Sequence, residues 1–154
     1  MASEHRYALT AEWTGNRGAG TTGYRDYGRN VVLRSAGKPE LLASADTPFR
    51  GDADRWNPEE LLLAALSECH LLSYLHVAVQ AGVVVTGYTD AATGEMVVTD
   101  DDAGHFVRVD LHPRVELADE SQRALADSLH PQANRLCFIA NSVSFPVEHH
   151  PVAP

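Results

Sequence analysis

Residues 57–82 constrain the fold more than any other stretch of the chain. Asn57 is a good helix N-cap, Pro58 fits the first helical position, and Glu59 and Glu60 fall in the first turn, where the helix dipole favours carboxylates. Glu60 follows Asn57 by three residues, the spacing of a capping box. From there to Ala81 the run is rich in helix formers, and Gly82 is a natural stop. Leu61, Leu62, Leu63, Leu66, Leu71, Leu72, Leu75 and Val77 put apolar surface on nearly every face. A helix that is apolar all round is a buried one. At ~1.5 Å per residue it measures about 34 Å, roughly the width of a small domain, so a sheet wrapped around a central helix is expected.

The flanking segments supply the strands. Tyr7, Leu9, Ala11 and Trp13 alternate with polar neighbours as in a half-buried strand, and Val31-Val32-Leu33 and Leu41-Leu42-Ala43 read as further strands. Between them, Gly15 to Gly23 holds four glycines, a turn-rich stretch, and residues 44–56 read as a loop. Beyond the helix, Val83 to Tyr88 and Met96-Val97-Val98 carry strand signals around a turn at Thr93-Gly94. Val107, Val109, Leu111, Val115 and Leu117 then alternate over one long strand. Asp119 caps a second helix that Pro131 ends, kinks or restarts as a short helix carrying Leu136 and Cys137. Val143, Phe145 and Val147 form a last strand before a frayed tail.

The order strands, helix, strands, helix, strand is that of an α+β domain rather than a βαβ winding. A single domain over 1–154 is expected, with N-terminal strands (1–56), central helix (57–82), strands (83–118), second helix, second cysteine and last strand (119–148) and tail (149–154). A chain of 154 residues buries about 68–70% of its unfolded surface, so it needs no covalent staples.

Charge and composition exclude several roles. The net charge of −9 supplies no cationic footprint for a nucleic-acid backbone. No uninterrupted apolar stretch reaches the ~18–20 residues of a membrane span, and the N-terminus has no apolar core of a secretion signal, so a cytoplasmic address is expected. Eight histidines raise a metal reading, but Cys69, His70 and His76 lack a zinc-site spacing, and Asp100-Asp101-Asp102 before His105 reads as a solvated turn. His149-His150 falls in the tail, and no metal or bound cofactor is expected. His70 and His76 read as satisfied, partly buried histidines.

The two cysteines, Cys69 and Cys137, are either buried small hydrophobes or a reversible redox pair. Cys69 lies about three turns into the helix, too far from its N-terminus to feel the dipole, and apolar burial raises a thiol's pKa. A reactive Cys69 therefore needs an imported cation. His70 points about 100° away around the helix and is a poor one; an arginine from another element answers the need. The same angle turns the carboxylate of Glu68 away from the sulfur.

Asn57-Pro58-Glu59-Glu60-Leu61-Leu62, continuing through Leu66-Ser67-Glu68-Cys69-His70, resembles the central-helix signature of the osmotically inducible protein C (OsmC) and organic hydroperoxide resistance family. Ala133-Asn134-Arg135-Leu136-Cys137, followed by Ala140-Asn141-Ser142, is similar to its second-cysteine segment, and Gly23-Tyr24-Arg25-Asp26 to its arginine loop. The resemblance implies an OsmC-like fold of antiparallel sheets around a long buried helix, as an intertwined homodimer with interface sites. It implies reduction of organic (alkyl or lipid) hydroperoxides, with Cys69 as the attacking and Cys137 as the resolving thiol. Arg25 would hold the thiolate and Glu59 would position that arginine. Phe138 stands where the family often has proline, and Arg29 competes with Arg25 for the same role.

The implied cycle passes through a Cys69 sulfenic acid and a Cys69–Cys137 disulfide, recycled by an external dithiol such as a lipoyl or other thiol donor. Glu59 and Cys69 lie about 15 Å apart along a straight helix, so either the helix breaks between them or two chains assemble the site. The competing reading is a non-catalytic OsmC-like protein that binds a small apolar ligand, its thiols incidental.

Overall fold

The helix cap forms as its sequence requires. Asn57 Oδ1 accepts the Glu60 backbone N–H (2.8 Å) and Glu60 Oε2 accepts the Asn57 N–H (3.3 Å), which satisfies two donors reciprocally. Helix α1 (Pro58–Gln80) then runs without a break, and Gly82 turns the chain away at a φ of 71°, which suits glycine. In the computed structural model, which describes residues 3–153, contacts group the chain into two compact units, residues 1–61 and 62–154.

The first unit holds β1 (Thr10–Trp13), β2 (Val31–Arg34) and β3 (Leu41–Ala43), paired antiparallel in that order. The glycine-rich connection between β1 and β2 is closed at its base. The Gly28 N–H donates to Gly15 O (2.7 Å) and Trp13 Nε1 donates to Gly28 O (2.8 Å). A Cβ on Gly15 would lie 2.0 Å from the Gly28 oxygen, so this approach demands glycine. The N-terminal strand is shorter than its alternation suggested and is not half-buried: Tyr7 is 90% exposed, and all of β1 lies open as an edge strand.

In the second unit β4 (Val85–Asp90) pairs antiparallel with β7 (Pro113–Leu117). A separate sheet has the order β5 (Thr93–Val98), β6 (Gly104–Leu111), β8 (Val147–His149). Thr93-Gly94, expected as a turn, begins β5 instead. The long strand expected over 107–117 is two strands serving different sheets. It divides at His112, whose N–H leaves the ladder for Asp90 Oδ1 (2.7 Å), and Pro113 has no N–H to offer. β8 lies parallel to β6, an exception to otherwise antiparallel pairing. Asp119 caps a 3-10 turn through its Oδ1 and the Ser121 N–H (2.9 Å); α2 (Arg123–Ser128) follows, and Pro131 helps open a separate α3 (His130–Leu136).

The architecture is α+β as expected, but α1 is buried on one face only. Leu66, His70, Tyr74, Val77 and Ala78 form that face. Tyr74, Val77 and Ala78 pack with Val83, Val115, Leu117, Ala126, Leu129 and Ala133; Leu66 packs with Val109 and Leu111. The opposite face stays open, with Val79 78% exposed. By length and a mean hydropathy of 1.5, α1 meets the requirements of a membrane span, contrary to the expectation that no stretch would. Its core face and its Glu68, His70 and His76 make it a core helix here. The expected frayed tail is instead tied down: His150 N donates to Leu111 O (2.8 Å), Val152 N to Pro113 O (2.9 Å) and Arg114 Nε to Ala153 O (3.0 Å).

Candidate active site

Residues 65, 68, 69, 72, 73 and 76 repeat at three- and four-residue intervals and therefore share one face of α1. That face lines a cavity of about 580 Å³, closed on another side by Leu136, Phe138 and Ile139. Cys69 is half-buried and opens into it. Glu68, whose carboxylate the helix angle turns away from the sulfur in the sequence reading, also lies on the cavity wall, because adjacent residues of a helix can both flank a wide groove. His76 departs from expectation: it is exposed and on the wall, not a satisfied core histidine, and seven residues from Cys69 is two turns on the same face.

Cys137 ends α3 in extended conformation, at φ −71° and ψ 109°, and is fully buried. Its own N–H donates to Asn134 O (3.1 Å), and its Sγ accepts the Ala140 N–H (3.4 Å). Burial first, and then a hydrogen bond to the Cys69 sulfur, push the Cys137 thiol up to about 11, so it keeps its proton at neutral pH. Both cysteines are free thiols. The pair is thus unequal: one sulfur faces the cavity, and the other stands protonated behind it.

Arg25 and Glu59 belong to the first unit. The Asp26 N–H donates to Gly23 O (3.0 Å), which makes Gly23–Asp26 a tight turn with Arg25 exposed at its tip. Among the described residues Arg25 has no hydrogen-bonded or ionic partner. Arg29 is committed elsewhere: it donates to the carbonyls of Tyr27 (2.6 Å) and Tyr24 (2.8 Å), and its guanidinium lies 4.0 Å and 4.4 Å from their ring centres. It holds the loop's shape, which a solvated strand-edge charge would not do. Glu59 has a buried Oε2 with no partner among the described residues, an unusual state for a carboxylate oxygen. Because α1 does not break, Glu59 and Cys69 stand about 15 Å apart along one axis.

Spacing did not reveal two other groups. His70, His130 and His149 form a buried cluster, described below. Asp110, Glu148 and His150 also converge, but the Asp110 carboxylate already accepts from Arg108 Nε and His150 Nε2, each at 2.9 Å.

An α+β domain that presents a mid-helix cysteine to an apolar cavity, backed by a buried second thiol, defines a class of candidate thiol proteins. The chain belongs to the OsmC-like protein family, whose model matches residues 51–150. An OsmC-like protein of unknown function from Vibrio cholerae is similar in structure, with TM-score 0.85 and 28% identity over 97% of this chain and 100% of that one. An organic hydroperoxide resistance protein OsmC from Legionella pneumophila has TM-score 0.68 at 18% identity, over 97% of this chain and 98% of that one. An organic hydroperoxide resistance protein from Elizabethkingia anophelis has TM-score 0.68 at 20% identity, over 98% of each chain. No curated protein matches the sequence.

Proposed function

We propose that this protein is a thiol-dependent peroxidase that reduces organic hydroperoxides to alcohols, acting as a homodimer with an external dithiol as reductant. The inequality of its two thiols carries the reading: Cys69 open to an apolar cavity, Cys137 buried and protonated against it. The names of the Legionella and Elizabethkingia relatives, organic hydroperoxide resistance proteins, support it.

The Cys69 thiolate attacks the distal peroxide oxygen. The O–O bond breaks, an S–O bond forms, and the leaving alkoxide takes a proton to become the alcohol. The Cys137 sulfur then displaces water from the sulfenic acid to form a disulfide. A dithiol returns both sulfurs to thiols and is itself oxidised. The apolar walls of Leu72, Leu136, Phe138 and Ile139 favour an organic peroxide over hydrogen peroxide. Arg25 supplies the guanidinium, and Glu59 orients it. Neither has a hydrogen-bonded or ionic partner among the described residues, and a second protomer completes the site.

The test is cumene hydroperoxide consumption with a dithiol donor. Wild type turns over; Cys69→Ser is inactive; Cys137→Ser completes the first turnover and stalls as a trappable sulfenic acid. A wild-type protein that consumes no peroxide, while still binding apolar ligands in the cavity, is a binding protein instead.

A further inference from the structure

Behind the cavity face, α1 turns His70 into the core, where it meets His130 of α3 and His149 of β8. His70 Nε2 and His130 Nδ1 are 3.0 Å apart with rings 8° from parallel, so a single N–H···N bond joins the two imidazoles nearly in plane. Both residues are 1% exposed. Their remaining nitrogens, His70 Nδ1 and His130 Nε2, are buried without partners among the described residues, as is His149 Nδ1. The unpartnered nitrogens of the bonded pair lie at its outer ends and do not converge, which argues against a shared metal ion.

We propose that the His70–His130 pair is an acid-sensitive clamp that seats α3, and with it Cys137, against α1. α3 is seven residues long, with His130 at its first position and Cys137 immediately after its last. Whatever holds the first turn therefore fixes the second thiol. A neutral pair shares one proton comfortably. A first added proton leaves both outer N–H groups without acceptors and places a charge in the core, and a second sets two donors against each other.

The surroundings offer no relief. The Tyr74 ring stacks on His130 at 4.4 Å, and its hydroxyl donates to Ala126 O. Among the described residues Asp90 is the one anion acting on His70, and its oxygens already accept from Ser67 Oγ and the His112 N–H. His149 is flanked by His150 and Glu148 and adds like charge when protonated. Burial, reinforced by the neighbouring imidazoles, holds His70 down to about 4 and His130 to about 3. A locally opened state, with both rings in water, therefore gains roughly a hundredfold or more in population between pH 7 and pH 5.

The inference rests on the peroxidase reading only for its consequence, the separation of the two thiols; the clamp itself is read by hydrogen exchange of the reduced protein. After correction for intrinsic rates, protection of residues 130–137 falls at least tenfold from pH 7 to pH 5, while the β5–β6 hairpin holds. His70→Gln with His130→Asn places amide groups where Nε2 and Nδ1 now bond and removes both titrating rings, and it flattens the pH profile. His70→Gln alone weakens the dependence. Unchanged protection at pH 5, an equal fall in the hairpin, or an undiminished fall in the variants overturns the clamp. A separate measurement of disulfide yield after cumene hydroperoxide, at pH 7 and pH 5, bears on the peroxidase reading: no disulfide at either pH sinks that reading and leaves the clamp standing.

Discussion

At the scale of single residues, the two arginines of the glycine loop make opposite predictions. Arg29 is spent on the Tyr24 and Tyr27 carbonyls, so Arg29→Ala loosens the loop and lowers thermal stability. Arg25 has no hydrogen-bonded or ionic partner among the described residues, so Arg25→Ala is expected to leave the melting temperature alone and, under the proposed function, to reduce kcat/KM for an organic hydroperoxide roughly 10²–10³-fold, the scale of a lost charge stabiliser. Steady-state kinetics and a thermal melt on both variants check this. An equal loss of activity for both would return the choice to the loop as a whole. The resemblance to the family singles out Arg25, Glu59, Cys69 and Cys137, and their roles belong to the proposal. Arg29's part was hidden because it depends on where two carbonyls come to rest, which no side-chain pattern encodes. Glu68 joins the cavity wall without meeting the sulfur: an angle of 100° between neighbours excludes a shared contact point but not a shared groove.

At the scale of elements, α1 was the most legible part because its signals are local. The reciprocal Asn57–Glu60 cap predicts that Asn57→Ala costs about 1 kcal/mol, read from urea unfolding. Leu66→Ala, at a fully buried position between α1 and the Val109–Leu111 strand, costs about 2–5 kcal/mol by the same measurement. The strands were legible as apolar runs but not as pairings. The period-two pattern runs straight through His112, so alternation alone could not reveal that Pro113 begins a strand of another sheet. A last strand was expected over Val143, Phe145 and Val147, but β8 runs Val147–His149. Its Val147 sits opposite Val109 in a parallel pairing almost forty residues distant, and neither that partner nor its direction is written in the strand's own composition.

At the scale of the whole molecule, acid is the expected weakness. His70 and His130 have folded values below the ordinary histidine value, so the unfolded chain binds more protons as pH falls through 6.5. Their contribution is complete above about pH 7 and is lost progressively toward pH 4, of the order of 3 kcal/mol by pH 5. Urea midpoints at pH 7 and pH 5 check the sign, and a midpoint that rises on acidification contradicts it. The open apolar face of α1, with Leu72 and Val79, fits the homodimer of the proposed function. A monomeric variant selected by sedimentation is expected to lose peroxidase activity. The parallel seat of β8 also bears on how the protein is made. Residues 109–111 and the core face around His70 wait for a strand made almost forty residues later, so a nascent chain stalled before His149 emerges keeps that seam uncovered. Chaperone contact during synthesis is therefore expected to persist until His149 has left the ribosome.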